Sequence, residues 1–288
     1  MRARAPASSA NLGPGFDTLA VALSCYVQVE VEPAPSLRVH SEGEGGGLFD
    51  DASHLAVRVA AEVLGHDRIA VTVRSQIPVA RGLGSSAALA AAAAAAAGAD
   101  HPFAIAAAHD SHPENAAASV HGGLVAATFV DGRPAFARLP LSEGLAFVVI
   151  VPDRNLATPE ARRVLPETLS LADATFNLGR MGLLLAGLAD PSQLAPRATD
   201  DRLHQRARTE LFPKAPALLA ALVDAGALAS CWSGAGPSLL GLATASTAKA
   251  VRRGAEAALA ESGLPGRVLL LQADRRGIVY GDEAELPS

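Results

Sequence analysis

The chain has 288 residues, of which 50% are hydrophobic and 18% charged, with a net charge of −5. That balance supports a large buried core, excludes a disordered chain and argues against a general nucleic-acid binder. Lysine occurs only at Lys214 and Lys249, neither preceded by glycine, which excludes the common phosphate loop whose lysine directly follows a glycine.

The N-terminus, Met1 to Pro6, lacks the apolar stretch of a signal peptide. Val27, Val29 and Val31 alternate with Gln28, Glu30 and Glu32, which predicts a half-buried strand. Leu37 to His40 follows as its expected partner. Gly43 to Gly47 reads as a loop. Asp50 to Leu64 reads as a helix, capped by Ser53 and stopped by Gly65. Ile69, Val71 and Val73 form another alternating strand. A glycine-serine loop, Arg81 to Ser86, then opens an alanine helix with serine at its cap and Gly98 at its stop. The apolar run Ala87 to Ala97 is about half of what a bilayer requires.

A second helix should start at Pro113 and end at Gly122-Gly123. Asp131-Gly132 signals a hairpin between Leu124–Val130 and Ala135–Leu139. Leu145 to Val151 is wholly apolar and reads as a central strand. Beyond Pro152, helical patterns cover Glu160–Val164, Leu171–Leu188, Arg202–Leu211 and Ala215–Ala225. Ser238–Ala243, Thr247–Glu261 and Val268–Gln272 then read as strand, helix, strand. Strands early and helices in the middle give an α+β class with two halves, 1–150 and 151–288. Cys25 and Cys231 stand far apart in the chain and read as buried free thiols of a cytoplasmic protein.

Chemistry enters with Gly82-Leu83-Gly84-Ser85-Ser86. Glycines admit an anion close to the backbone, and a helix N-terminus offers unpaired N–H groups. The serine hydroxyls can hold phosphate or Mg²⁺. From these residues alone, a loop that merely starts a helix is about as good a reading. His109, His112 and His121 suggest a zinc site only weakly, because their neighbours are poor ligands. A lone arginine defaults to a solvated helix face. Asn11 and Asp17 could equally serve the turn around Gly13-Pro14-Gly15.

The window Ile77 to Ala88 resembles the ATP-binding signature of the GHMP kinases, the superfamily of galactokinase, homoserine kinase, mevalonate kinase and phosphomevalonate kinase. Ser233-Gly234-Ala235-Gly236-Pro237-Ser238 resembles the third motif of that superfamily. Pro6 to Asp17 resembles the homoserine kinase branch in particular, as do His112-Pro113-Glu114-Asn115, Thr158 to Arg162, and Leu203-His204-Gln205 with Arg208.

The resemblance implies a two-domain α+β fold with mixed and antiparallel sheets, helices packed on one side, and an active site between the domains. It implies ATP and Mg²⁺ as cofactors and L-homoserine as the acceptor. Nucleotide binding falls to Pro78, Val79, Ala80, Arg81, Gly82, Leu83, Gly84, Ser85, Ser86, Ala87, Ala88, Gly234 and Gly236. Arg162 and Arg208 match the carboxylate-binding arginines, a role suited to the guanidinium fork. Asp17, with Asn11 beside it, suits the ammonium. Asn115 suits the hydroxyl, and Thr158 is a weaker candidate for orienting it. The metal would take Ser85 and Asp110, where Asp110 replaces the glutamate usual in the family. No dedicated general base is evident. Loose transition states leave most of the catalysis to positioning and charge neutralisation. Another GHMP kinase acting on a sugar or isoprenoid alcohol, and a ligand-binding relative without turnover, stay open as alternatives. No nucleic acid or membrane partner is implied, and a homodimer is left open.

Overall fold

The structure is a computed structural model describing every residue except Ser111, Pro196 and Ser288. The hairpin β1 (Arg2–Asn11) and β2 (Gly15–Pro33) starts the chain. β3 (Arg38–Gly43), α1 (Leu55–Leu64) and β4 (Ile69–Ser75) follow as a crossover unit. The alanine helix α2 (Ser85–Ala96) leads to α3 (Pro102–Asp110), α4 (Pro113–His121), β5 (Leu124–Val130) and β6 (Arg133–Leu139). The second half runs β7 (Leu145–Pro152), α5 (Thr158–Arg163), α6 (Leu171–Ala189), α7 (Gln205–Arg208) and α8 (Ala215–Asp224). It closes with β8 (Ala229–Trp232), β9 (Leu239–Thr244), α9 (Ala248–Glu261), β10 (Gly266–Leu271) and β11 (Val279–Tyr280).

Two sheets result. The first is 7-stranded, with the path β11-β1-β2-β4-β3 and a branch in which β5 pairs with β2 and β6 with β5. The second is 4-stranded and antiparallel, ordered β10-β7-β9-β8. Helices α1 to α4 pack with the first sheet, and α8 and α9 with the second. The α+β class with mixed and antiparallel sheets is what the sequence predicted.

Several local expectations change. Leu37–His40 is not the partner of β2. That edge of β2 carries β4, register Val29 to Val73, and β3 lies parallel to β4 beyond it. The α1 crossover forces this, since a connection through a helix returns the chain in the same direction. α1 is capped by His54, whose Nδ1 accepts from the Ala56 N–H at 3.1 Å, rather than by Ser53. Gly84, not serine, is the cap of α2, at φ 63°. The helix expected over Arg202–Leu211 shrinks to α7 because the Asp201 carboxylate accepts the N–H groups of Leu203, His204 and Gln205 and holds a turn there.

Burial explains the two odd sequence runs. In β7, Ala146, Val148 and Ile150 enter one core with α8 and α9, while Phe147, Val149 and Val151 enter the core shared with the first sheet. Both faces are covered, so alternation vanishes. The expected cut at residue 150 falls inside this strand. In α2, Ala87, Ala88 and Ala90 to Ala96 are all buried. Methyl side chains let β1, β2, α1, α3 and α4 all approach one helix closely.

Candidate active site

Seven segments converge on one cleft with a cavity volume of about 290 Å³. They are the β1–β2 turn, the loop before α2, the end of α3, the start of α4, α5 with the residues before it, the end of α7 and the β8–β9 loop. The three widely separated glycine-bearing motifs are knitted to one another. Ser8 N–H donates to the Leu83 carbonyl at 3.1 Å, and Gly234 N–H to the Ala10 carbonyl at 3.0 Å. The Ser233 hydroxyl donates to the Gly82 carbonyl at 2.6 Å. A Cβ on Gly82 would lie 2.2 Å from the Ser233 carbonyl oxygen, so only glycine permits this approach, and its φ of 74° favours glycine too. Asn11, Leu12, Asp17 and Ala80 are non-glycine residues with positive φ, strain that concentrates at the cleft.

On one side, the first N–H groups of α2 lack a side-chain cap and open toward the cleft beside the Ser85 and Ser86 hydroxyls. On the other side stands a charged cluster. Arg162 Nη2 donates to both Asp17 oxygens at 2.7 Å. Phe16 lies between the cations, with Arg162 5.5 Å and Arg208 5.6 Å from its ring centroid. Arg208 is 2% exposed. It donates to the Gly234 carbonyl and to His204 Nδ1, each at 2.9 Å. Burial first, and then the Arg162 charge, bring its pKa down to about 10 against the pull of Asp17 and Asp201, so it stays cationic at neutral pH.

His204 Nε2 donates to the Gly13 carbonyl at 2.8 Å, which leaves Nδ1 as the acceptor for Arg208. Burial drives its pKa down to about 4, in keeping with that neutral tautomer. The ring therefore fixes the turn and the arginine together. His112 does similar work. Its Nδ1 donates to the Asp110 carbonyl at 2.7 Å, and its Nε2 accepts from Arg162 at 3.0 Å. Asp110 raises the pKa of His112, whereas the Arg162 contact requires the neutral ring.

At the start of α4, Asn115 Oδ1 accepts from the Ser8 hydroxyl at 2.8 Å and its Nδ2 donates to Glu114 Oε1 at 3.1 Å. Glu114 is 1% exposed, and burial pushes its carboxyl up to about 7. Its Oε2 has no hydrogen-bond partner among the described residues.

Of the expected site residues, Asn11, Asp17, Val79, Ala80, Gly82, Gly84, Ser85, Ser86, Asp110, Asn115, Thr158, Arg162, Arg208, Gly234 and Gly236 line this cleft. Five others stand outside its lining. Leu83, Ala87 and Ala88 are core residues, Pro78 lies before the loop, and Arg81 turns away to the Pro152 carbonyl at 2.9 Å. Asn11 spends its amide on structure, donating to the Gly234 carbonyl and accepting from the Asp17 N–H, each at 3.0 Å. Ser111, just before the His112-Pro113-Glu114-Asn115 motif, lies outside the described residues. Ser8, Phe16, His204 and the distinct character of Glu114 were not anticipated. The histidines of the weak zinc reading go separate ways: His109 bonds Glu62, and His121 stacks on Phe136. No group of three His, Cys, Asp or Glu suited to a metal occurs among the described residues.

A second cavity of about 200 Å³ adjoins the first. It shares Val79, Ser85 and Ser86, and Leu48, Phe49, Leu55 and Leu89 give it apolar walls.

The chain and its fold have known relatives. The GHMP kinases N terminal domain family matches residues 54–123, and the GHMP kinases C terminal family matches 182–261. A homoserine kinase of Thermus thermophilus is 41% identical over 278 residues, 92% of this chain and 94% of that one. A homoserine kinase of Mycolicibacterium smegmatis is 38% identical over 289 residues, covering 91% and 86%. The crystal structure of homoserine kinase from Cytophaga hutchinsonii superposes with a TM-score of 0.85 at 27% identity, covering 97% of this chain and 96% of that one. The crystal structure of L. major mevalonate kinase shares the fold, with a TM-score of 0.72 at 14% identity, covering 96% of both chains. The chain belongs to the homoserine kinase family of the GHMP kinases.

Proposed function

We propose that the chain transfers the γ-phosphoryl group of ATP to the hydroxyl of L-homoserine, giving O-phospho-L-homoserine and ADP. The observation that carries this is the Asp17–Arg162–Arg208 cluster facing a capless helix N-terminus across one cleft. An amino-acid zwitterion complements the cluster, with ammonium to Asp17 and carboxylate to the two guanidiniums. Asn115, whose amide is held by Ser8 and Glu114, is suited to meet the hydroxyl; Thr158 lines the same wall. Phosphates suit the N–H groups after Gly82 and Gly84. The adjoining apolar cavity suits the base.

Mg²⁺ fits the donor chemistry of this cleft, because Ser85, Ser86 and Asp110 present hard oxygens to it. Ser85 and Asp110 would hold the ion. When bound, the ion supplies charge neutralisation at the phosphates. Positioning the acceptor is the work of Arg162, Arg208 and Asn115.

The division into 1–150 and 151–288 separates most of the first sheet from most of the second, although it cuts β7 and leaves β11 on the far side. No helix among the described residues is long and apolar enough to cross a membrane. The buried thiols Cys25 and Cys231 suit a cytoplasmic enzyme serving threonine synthesis. The apolar face of α6, with Leu171 84% exposed beside Leu178 and Leu183, supports a homodimer.

Purified protein given Mg-ATP and L-homoserine should release ADP. Galactose and mevalonate should give none, since neither offers an ammonium to Asp17. Release no faster than background with homoserine overturns the proposal.

A further inference from the structure

His204 is wholly buried and stands at the N-terminal cap of α7, one turn before Arg208. Its two ring nitrogens serve two different parts of the cleft. Nε2 donates to the Gly13 carbonyl at 2.8 Å, and Nδ1 accepts from Arg208 Nη1 at 2.9 Å. The ring also stacks on Phe16, with centroids 5.2 Å apart and planes 28° from parallel. Phe16 directly precedes Asp17 on β2. One imidazole therefore touches both the turn that carries Asp17 and the guanidinium of Arg208.

Neither end of this bridge drifts freely. Gly13 has φ 85°, and a Cβ there would lie 2.2 Å from the Thr199 carbonyl oxygen, so the turn is pressed between Thr199 and His204. The backbone beneath the ring is held by Asp201, whose side chain is 0% exposed. Its carboxylate accepts from the N–H groups of Leu203, His204 and Gln205 and from Asn177 Nδ2, at 2.7 to 2.8 Å. Among the described residues, Arg208 donates only to neutral acceptors: His204 and the carbonyls of Gly234 and Ala161. No carboxylate occupies it, so its charge stays available to a carboxylate in the cleft.

We propose that His204 is a positioning residue that sets acceptor specificity: by tying Gly13 to Arg208, it fixes the spacing between the ammonium site at Asp17 and the carboxylate site at Arg208. The inference deepens the kinase reading above and rests on it. A fixed spacing selects an α-amino acid, in which a single carbon joins the ammonium to the carboxylate. A β-amino acid carries one methylene more. With its hydroxyl at Asn115, it cannot meet both charges, and a buried charge left unpaired is what rejects it.

The two bonds of the ring can be cut separately. In His204→Asn the side-chain oxygen stands where Nδ1 stood, so Arg208 keeps its acceptor and the tie to Gly13 is lost. In His204→Gln the amide nitrogen reaches the place of Nε2, so the tie to Gly13 survives and Arg208 loses its acceptor. The test is steady-state kinetics of wild type and both variants with L-homoserine and with 3-amino-5-hydroxypentanoate, its homologue with one more methylene between ammonium and carboxylate. Wild type should prefer L-homoserine by about 100-fold or more in kcat/KM. Each variant should raise the KM for L-homoserine by about tenfold or more and narrow that preference by about fivefold or more. Each should hold kcat and the KM for ATP within about threefold. A variant that leaves the preference intact overturns the proposal. Equal losses in kcat and in both KM values overturn it too, since the ring would then be purely structural. If neither variant folds, a wild-type preference below about tenfold overturns it equally. Turnover of L-homoserine without the preference sinks this proposal alone, whereas no turnover by wild type sinks the kinase reading with it.

Discussion

Replacing Glu114 by glutamine should stabilise the fold at and above neutral pH. The side chain is 1% exposed, and burial lifts its carboxyl from an ordinary value of 4.5 to about 7. The folded protein therefore holds this proton over a window in which the unfolded chain has released it. Stability changes with pH in proportion to protons bound unfolded minus protons bound folded. That difference is negative between about pH 4.5 and 7, so this group makes wild type progressively less stable as pH rises through the window. One unit is worth about 1.4 kcal/mol, which puts the ceiling at about 3 kcal/mol.

Glutamine keeps an acceptor for Asn115 and carries no charge to desolvate. The stability of the variant minus that of wild type should grow by up to about 3 kcal/mol from pH 4.5 to 7 and then stay level. Urea unfolding of both proteins at about pH 5, 6, 7 and 8 measures it, and groups common to both cancel in the difference. A difference that is flat across this range would refute the reasoning. Glu114 would then titrate as an ordinary, solvated carboxylate.

Arg208→Ala should raise the KM for homoserine by about 30-fold or more, the scale for losing one partner of a buried charged contact, and leave the KM for ATP within about threefold. Equal losses for both substrates in steady-state kinetics would make Arg208 structural. Gly82→Ala forces a methyl to within 2.2 Å of the Ser233 carbonyl at a φ of 74°. It should lower both the melting temperature and kcat, and a wild-type melt would show that the β8–β9 loop yields freely. Burial pushes the thiols of Cys25 and Cys231 up to about 12. Both should stay silent to a thiol reagent such as dithionitrobenzoate until denaturant is added, and labelling of the native protein would contradict their burial.

Local chemistry made part of this molecule legible in its sequence. The Asp131-Gly132 hairpin forms because both residues take positive φ, as a two-residue hairpin turn requires. Gly65 and Gly122 end their helices with positive φ. β1 stayed hidden because it carries alanines and serines in place of β-branched residues. Pairing with β2 makes it a strand, and Ala3, Ala5 and Ala7 fill the core. Glu114, His204 and Phe16 were equally hidden in their roles. Each acts through burial or a contact with a distant segment, and periodicity reports neither.

The alanine helix and the lysine-free phosphate side of the cleft meet at one contact. Because α2 is sheathed in methyl groups, β1 and α4 come so close that a Cβ on Gly84 would lie 2.0 Å from Ser8 Oγ and 3.1 Å from Asn115 Oδ1. The phosphate-side N–H groups and the hydroxyl-side amide are thus set by the same contact. Of the described residues lining the cleft, Arg162 and Arg208 are the only arginines, lysine is absent, and both arginines stand at the acceptor end. A phosphate opposite them is left to backbone dipoles, serine hydroxyls and a cation. Cationic side chains at both ends would let an acidic acceptor bind in either direction. Confining them to one end gives the zwitterion a single orientation, with its hydroxyl toward Asn115.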